Sequence, residues 1–165
     1  MDIKEYQVKL NEYRKPVLII KNVHDVQKVH EVTASFDCSA KVADMLNDIF
    51  DVRHLAEEYV WMLCTDSAGK ITGVFEISHG SVNRSIFSSR EIIQKALLAG
   101  AVNIILAHCH PSGDPSPSDI DISVTKTLYD ACNLMQIPLL DHIIVGCDTP
   151  TQYYSFLEEN VMSNW

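Results

Sequence analysis

Two histidines one residue apart, His108 and His110, follow a nearly continuous apolar run from Val102 to Ala107. Side chains alternate along a strand, so the two imidazoles project from one face and Cys109 from the other. An H-x-H pair alone is a weak metal signal, because hydrogen-bonded or solvent-facing pairs are the usual outcome. A third ligand comes from downstream, where Ser118, Asp121, Val124, Thr125 and Leu128 share one helical stripe and turn Asp121 toward the buried side. An ionised Asp buried without a partner costs several kcal/mol or is forced neutral. Only one basic residue, Lys126, lies beyond Lys95 to pair with it. A metal cation supplies the missing charge. Two neutral imidazoles and one carboxylate leave a fourth tetrahedral position open, which is the arrangement of a catalytic zinc and not of a closed structural site. Spacing also leaves open an exposed Asp121, favoured on the first turn by the helix dipole alone.

The elements that must position these residues read as mixed α/β or α+β. The apolar run before His108 has strand length and no alternation, as expected of a central strand covered on both faces. Residues 111–117 hold three prolines and a glycine and must form a loop. A helix from Ser118 or Asp119 to about Leu134 follows, and Leu139 to Val145 forms another buried strand. Upstream, Val42, Met45, Leu46 and Ile49 predict a helix through Phe50, with Ser39 as N-cap. Glu58 to Thr65 and Ile71 to Ser78, separated by Asp66-Ser67-Ala68-Gly69-Lys70, predict a hairpin with Tyr59, Trp61 and Leu63 on a core face. A second helix carries Ile92, Ile93, Ala96 and Leu97, capped by Ser89 and stopped by Gly100. Tyr6 to Leu10 and Val17 to Val23 read as extended segments without identifiable partners.

The string His108-Cys109-His110-Pro111, then Ser118 and Asp121, resembles the H-x-H-P…S-x-x-D signature of the JAB/MPN (JAMM) metalloprotease superfamily. With Ile105-Leu106-Ala107 before it and Ser112-Gly113-Asp114 and Pro117 within it, the string is similar to the RadC branch in particular. Ser89-Arg90-Glu91, Asp141-His142-Ile143-Ile144-Val145-Gly146 and Tyr153-Tyr154-Ser155-Phe156 also match. The resemblance covers roughly Ala56 to Phe156. It implies a JAB/MPN-like, cytidine-deaminase-like mixed sheet flanked by helices in one compact domain, with Zn2+ held by His108, His110 and Asp121. Ser118 matches the serine that orients the bound water or steadies a developing oxyanion. The superfamily's glutamate base sits just before the hairpin's first strand, where Glu57 aligns best and Glu58 is the reserve. Hydrolysis of an amide or isopeptide bond is the implied chemistry. Cys109 stands where the RadC pattern usually has Asn, and its opposite orientation reads as buried packing and not as a fourth ligand. His142 reads as a core histidine or as a partner of a ligand.

The 165 residues carry 22 acids against 13 Lys and Arg, a formal charge of −9. A nucleic-acid groove needs a stripe of Lys and Arg, so direct nucleic-acid binding is not expected. The first 55 residues show no helix-hairpin-helix, and a DNA-repair role would act through partners. A non-catalytic interaction module is the other alternative, disfavoured by the complete ligand set. No apolar stretch reaches the roughly 20 residues of a membrane span. With no leader-like start and five scattered cysteines, Cys38, Cys64, Cys109, Cys132 and Cys147, a cytoplasmic protein with reduced thiols is expected. His24, His30, His54 and His79 read as surface residues, and Arg84 and Arg90 as flanks of the second helix. Residues 1–36 form an extension of unassigned role and residues 37–165 the metal-binding domain. The substrate and the oligomeric state stay open.

Overall fold

A computed structural model of the chain describes residues 2–25, 38–80, 87–146 and 152–165. His30, Arg84 and Cys147 lie outside the described residues. Seven strands form one mixed sheet: β1 (Asp2–Leu10), β2 (Pro16–Asp25), β3 (Glu58–Thr65), β4 (Ile71–Gly80), β5 (Asn103–Cys109), β6 (Leu139–Val145) and β7 (Tyr153–Ser155). Their spatial order is β2-β1-β4-β3-β5-β6-β7. The helices are α1 (Ser39–Phe50), α2 (Ser89–Ala99) and α3 (Asp119–Met135). This is the single α/β domain with a helix-flanked mixed sheet that the sequence predicts. Among the described residues, no helix is long and apolar enough to cross a membrane.

Strand alternation sorts the core into two layers. Val60, Met62 and Cys64 of β3 join Ile104 and Leu106 of β5 on the face covered by Ile92 and Ala96 of α2 and Leu128 and Cys132 of α3. Trp61 and Leu63 join Ile105, Ala107 and Cys109 on the other face, under Val42, Met45 and Leu46 of α1. β5 is paired on both sides, antiparallel to β3 and parallel to β6, with α3 as the crossover between the parallel pair. Full burial on both faces explains why its sequence lacks alternation.

Residues 2–25 fold as a hairpin whose first strand pairs parallel with β4 through Glu5 and Val74. Both strands run beyond the predicted segments, because charged residues such as Lys4 and Asp25 hide the pattern. Gly73 makes this docking possible, since a β carbon there would overlap the Tyr6 ring. His24 is half-buried, not a plain surface residue, and its Nε2 lies 3.1 Å from Glu5 Oε2. Glu5 itself is buried, and burial opposes but does not outweigh contacts from Lys21, Asn22 and His24, which hold its carboxyl below the ordinary Glu range.

Two predicted caps shift by one residue. Cys38 and Ser88 occupy the N-cap positions, and neither side chain makes a cap hydrogen bond. Ser39 is drawn away because its hydroxyl donates to Asp141 Oδ2 at 3.0 Å. Asp141 is fully buried on the α1 face and accepts three further bonds, from Ser155 Oγ (2.6 Å), His142 N (2.7 Å) and Leu157 N (2.9 Å). This carboxylate staples α1, β6 and the chain around β7. Burial, opposed by these four donors, holds its carboxyl above the ordinary Asp value. The folded chain then binds that proton more tightly than the unfolded chain. The group's stabilising contribution is fully present below an unfolded pKa of about 3.9 and is lost as pH rises through the folded value. We expect Asp141→Ala to cost roughly 3 kcal/mol by orphaning buried donors. Asp141→Asn should cost less, and its stability relative to the parent should rise with pH across that window. Urea unfolding at several pH values checks both, and a pH-independent difference would remove the ionised carboxylate from the explanation.

Candidate metal centre

The C-terminal end of β5 brings His108 to the α3 side of the sheet, where it is completely buried. His110 lies one residue past the strand, and its Nε2 comes within 2.9 Å of His108 Nε2. The loop fixes that approach. His110 Nδ1 sits 2.8 Å from the Asp114 carbonyl oxygen, which can only accept, so in the neutral ring Nε2 keeps the lone pair. Gly113, at φ 87°, donates its N–H back to the His110 carbonyl at 3.0 Å. The Asp114 carboxylate accepts from Ser116 N at 2.9 Å, an Asx turn that shapes the same loop.

α3 supplies the acid. Ser118 is its N-cap, and the Ser118 N–H (2.7 Å) and hydroxyl (2.6 Å) both donate to Asp121 Oδ2 while Asp121 N–H returns to Ser118 Oγ at 3.2 Å. This capping box aims the carboxylate inward. Asp121 is 1% exposed, with Oδ1 3.5 Å from His108 Nε2 and Oδ2 3.7 Å from His110 Nε2. The exposed-Asp alternative is therefore excluded. Ser118 stands beside the centre with its hydroxyl proton committed to Asp121.

β3 supplies the fourth group. Its register against β5 pairs Val60 with His108, so the even-numbered residues of β3 share the histidines' face. Glu58 falls on that face, with Oε1 3.9 Å from His108 Nε2. Glu57 has the opposite parity and is exposed, and its backbone carbonyl accepts from the Cys109 thiol at 3.7 Å. The structure thus brings the reserve glutamate, not the better-aligned one, to the site. Cys109 is buried on the α1 face, as its parity requires.

One ligand atom from each of Glu58, His108, His110 and Asp121 lies within 4.8 Å of every other, the one such group among the described residues. Two of the oxygens, Glu58 Oε1 and Asp121 Oδ1, are buried and accept no hydrogen bond. Burial lowers the proton affinity of His108, with Asp121 pulling it back up and His110 adding to the fall. Burial likewise raises Glu58, an effect the His110 charge opposes and the Asp121 charge reinforces. Burial thus disfavours the charged form of both His108 and Glu58 where their lone pairs converge, and a divalent cation satisfies such a donor set. His142 adjoins the cluster, with Nε2 2.8 Å from His108 Nδ1.

The family model of the RadC-like JAB domain matches residues 36–161. The chain belongs to the RadC-like JAB domain family. Among curated relatives, the UPF0758 protein of Pelobacter propionicus is 39% identical over 113 residues, covering 68% of this chain and 48% of the relative. The UPF0758 protein of Alkaliphilus metalliredigens is 41% identical over 112 residues, covering 68% and 47%. That of Caldanaerobacter subterraneus subsp. tengcongensis is 41% identical over 104 residues, covering 62% and 45%. The chain spans about half the length of the curated relatives it matches. In this RadC-like domain the H-x-H-P…S-x-x-D residues come together at the end of β5 and the start of α3. Two residues at the site were only second readings of the sequence: Glu58 as the reserve base and His142 as a ligand's partner. Strand parity was the available signal for Glu58, but using it requires the β3–β5 register.

Proposed function

We propose that this RadC-like domain is a zinc-dependent amide hydrolase acting on a peptide or isopeptide bond. The observation that carries the reading is the pair of buried carboxylate oxygens without hydrogen bonds, beside two imidazole nitrogens at the end of β5. His108, His110 and Asp121 would hold the ion. When bound, zinc supplies Lewis-acid polarisation and lowers the pKa of a coordinated water to about 7. Glu58 accepts a proton from the attacking water and returns it to the leaving nitrogen. Ser118 keeps Asp121 oriented through the capping box, and the Asp114 carbonyl keeps His110 oriented through its Nδ1–H. The buried thiols of Cys64, Cys109 and Cys132 fit a reducing, cytoplasmic setting.

Metal analysis of protein purified without chelator tests the reading, alongside hydrolysis of a peptide and isopeptide library. About one zinc per chain and chelator-sensitive cleavage are expected. A full-length chain that takes up no zinc and cleaves nothing would replace the hydrolase reading with an interaction module.

The loop gives a more local prediction. Gly146 follows β6, and a β carbon there would overlap the Gly113 carbonyl oxygen. Gly146→Ala must push the 111–117 loop outward and with it the Asp114 carbonyl that orients His110. We expect zinc affinity to fall about 10- to 100-fold, the usual loss when a ligand's outer support is removed, with little change in the melting temperature of the metal-free protein. Competition against a chromophoric chelator checks it; unchanged affinity would show that the loop yields without moving His110.

A further inference from the structure

A relay of buried side chains stands behind His108. Thr125 Oγ1 lies 2.5 Å from the Asp121 backbone carbonyl, which has no proton to give, so the threonine hydrogen points there. His142 Nδ1 lies 2.6 Å from the same Thr125 oxygen. With the hydroxyl hydrogen already committed, the ring must donate, and His142 carries its proton on Nδ1. Its Nε2 is then an acceptor, 2.8 Å from His108 Nδ1. His108 must donate in turn. This direction of the relay puts the His108 proton on Nδ1 and turns its Nε2 lone pair toward His110 Nε2 and Asp121 Oδ1.

The orientation of the relay is packed as well as bonded. The His142 ring stacks on Phe156 at 4.9 Å and 18°, and the edge of Phe87 meets it at 6.3 Å and 81°. His142 and Thr125 are both buried, which keeps water from competing for the ring nitrogens. The relay also closes on itself. It starts at the backbone of Asp121, whose carboxylate belongs to the site, and ends at His108, whose Nε2 does.

We propose that Thr125 and His142 are positioning residues that lock His108 in its Nδ1–H tautomer, so that Nε2 is presented as a ready ligand. The relay's geometry stands without the hydrolase reading; its consequence for metal binding rests on that reading. Removing the Thr125 hydroxyl leaves His142 Nδ1–H with no acceptor. His142 then gains by moving its proton to Nε2, and His108 must accept at Nδ1 and carry its own proton on Nε2. The ligand atom is thereby blocked.

Nitrogen-15 long-range correlation spectra of the metal-free full chain at pH 7 read the tautomers directly. The parent and Thr125→Ser should show His108 and His142 protonated on Nδ1. Thr125→Val, nearly the same shape, should invert both tautomers and weaken zinc binding about 10- to 100-fold in chelator competition. Phe156→Leu should lower stability and leave the tautomers as in the parent, which separates positioning from packing. A parent His108 protonated on Nε2, or a folded Thr125→Val with parental tautomers and affinity, would overturn the proposal. A parent with the expected tautomers that binds no zinc would instead remove the metal reading alone.

Discussion

Replacing Glu58 by Gln is expected to lower the hydrolytic rate roughly 10²- to 10⁴-fold, the range for losing a positioned general base, while zinc content stays near the parental value. Glu57→Gln should leave both unchanged. The contrast follows from one residue of strand register. Glu58 shares the face of His108 and His110 and places a carboxylate oxygen 3.9 Å from His108 Nε2, whereas Glu57 is exposed with opposite parity. Glutamine keeps the size and polarity of Glu58, so the variant tests proton transfer and not packing. Burial, opposed by His110 and reinforced by Asp121, holds the Glu58 carboxyl above the usual Glu range. A base raised toward working pH is better matched to its task. Because only the ionised form accepts a proton, the rate should fall as pH drops through that raised value. The same limb should be absent from whatever rate Glu58→Gln retains. A reversed result, with Glu57→Gln inactive and Glu58→Gln active, would move the base back to the exposed position.

Asp121→Asn is expected to abolish zinc binding at micromolar metal and to change stability with opposite signs in two buffers. In chelator, the parent keeps a buried carboxylate oxygen that accepts no hydrogen bond, a costly arrangement. Asparagine removes the charge and can still accept from the Ser118 N–H, so the variant should melt at or above the parent. In zinc, the parent gains by mass action, about 2.7 kcal/mol when free metal is 100-fold above Kd. The variant gains nothing. Thermal unfolding of both proteins in both buffers supplies the four values. An Asn variant that is destabilised equally with and without zinc would make Asp121 a structural helix cap only.

The candidate metal ligands were legible because their signal is local. H-x-H at a strand end and an acid at the third position of the next helix are fixed by backbone periodicity, and the capping box at Ser118 depends on residues three apart. The central strands were legible for the same reason, as runs of apolar residues with turn residues between them. What stayed hidden depends on partners far away in sequence. Glu57 and Glu58 differ only in which side of β3 faces the histidines, and that is settled by pairing with β5 some fifty residues on. Ser39 has the composition of a cap, yet Asp141 draws its hydroxyl into a buried network across the chain. The N-terminal hairpin escaped full delineation because neither strand keeps a clean alternation: Val17 to Ile20 are all apolar, and in β1 the buried Glu5 breaks the pattern beside a register shift.

Asp141 and His142 are neighbours joined by a single peptide unit, and they serve opposite sides of β6. The first clamps the layer beneath α1, and the second backs the ligand beneath α3. That peptide behaves as a pivot: a twist introduced by repacking one layer is delivered to the other with no intervening side chain to absorb it. A substitution beneath α1, such as Ser39→Ala, is therefore expected to be felt at His108 through this one peptide.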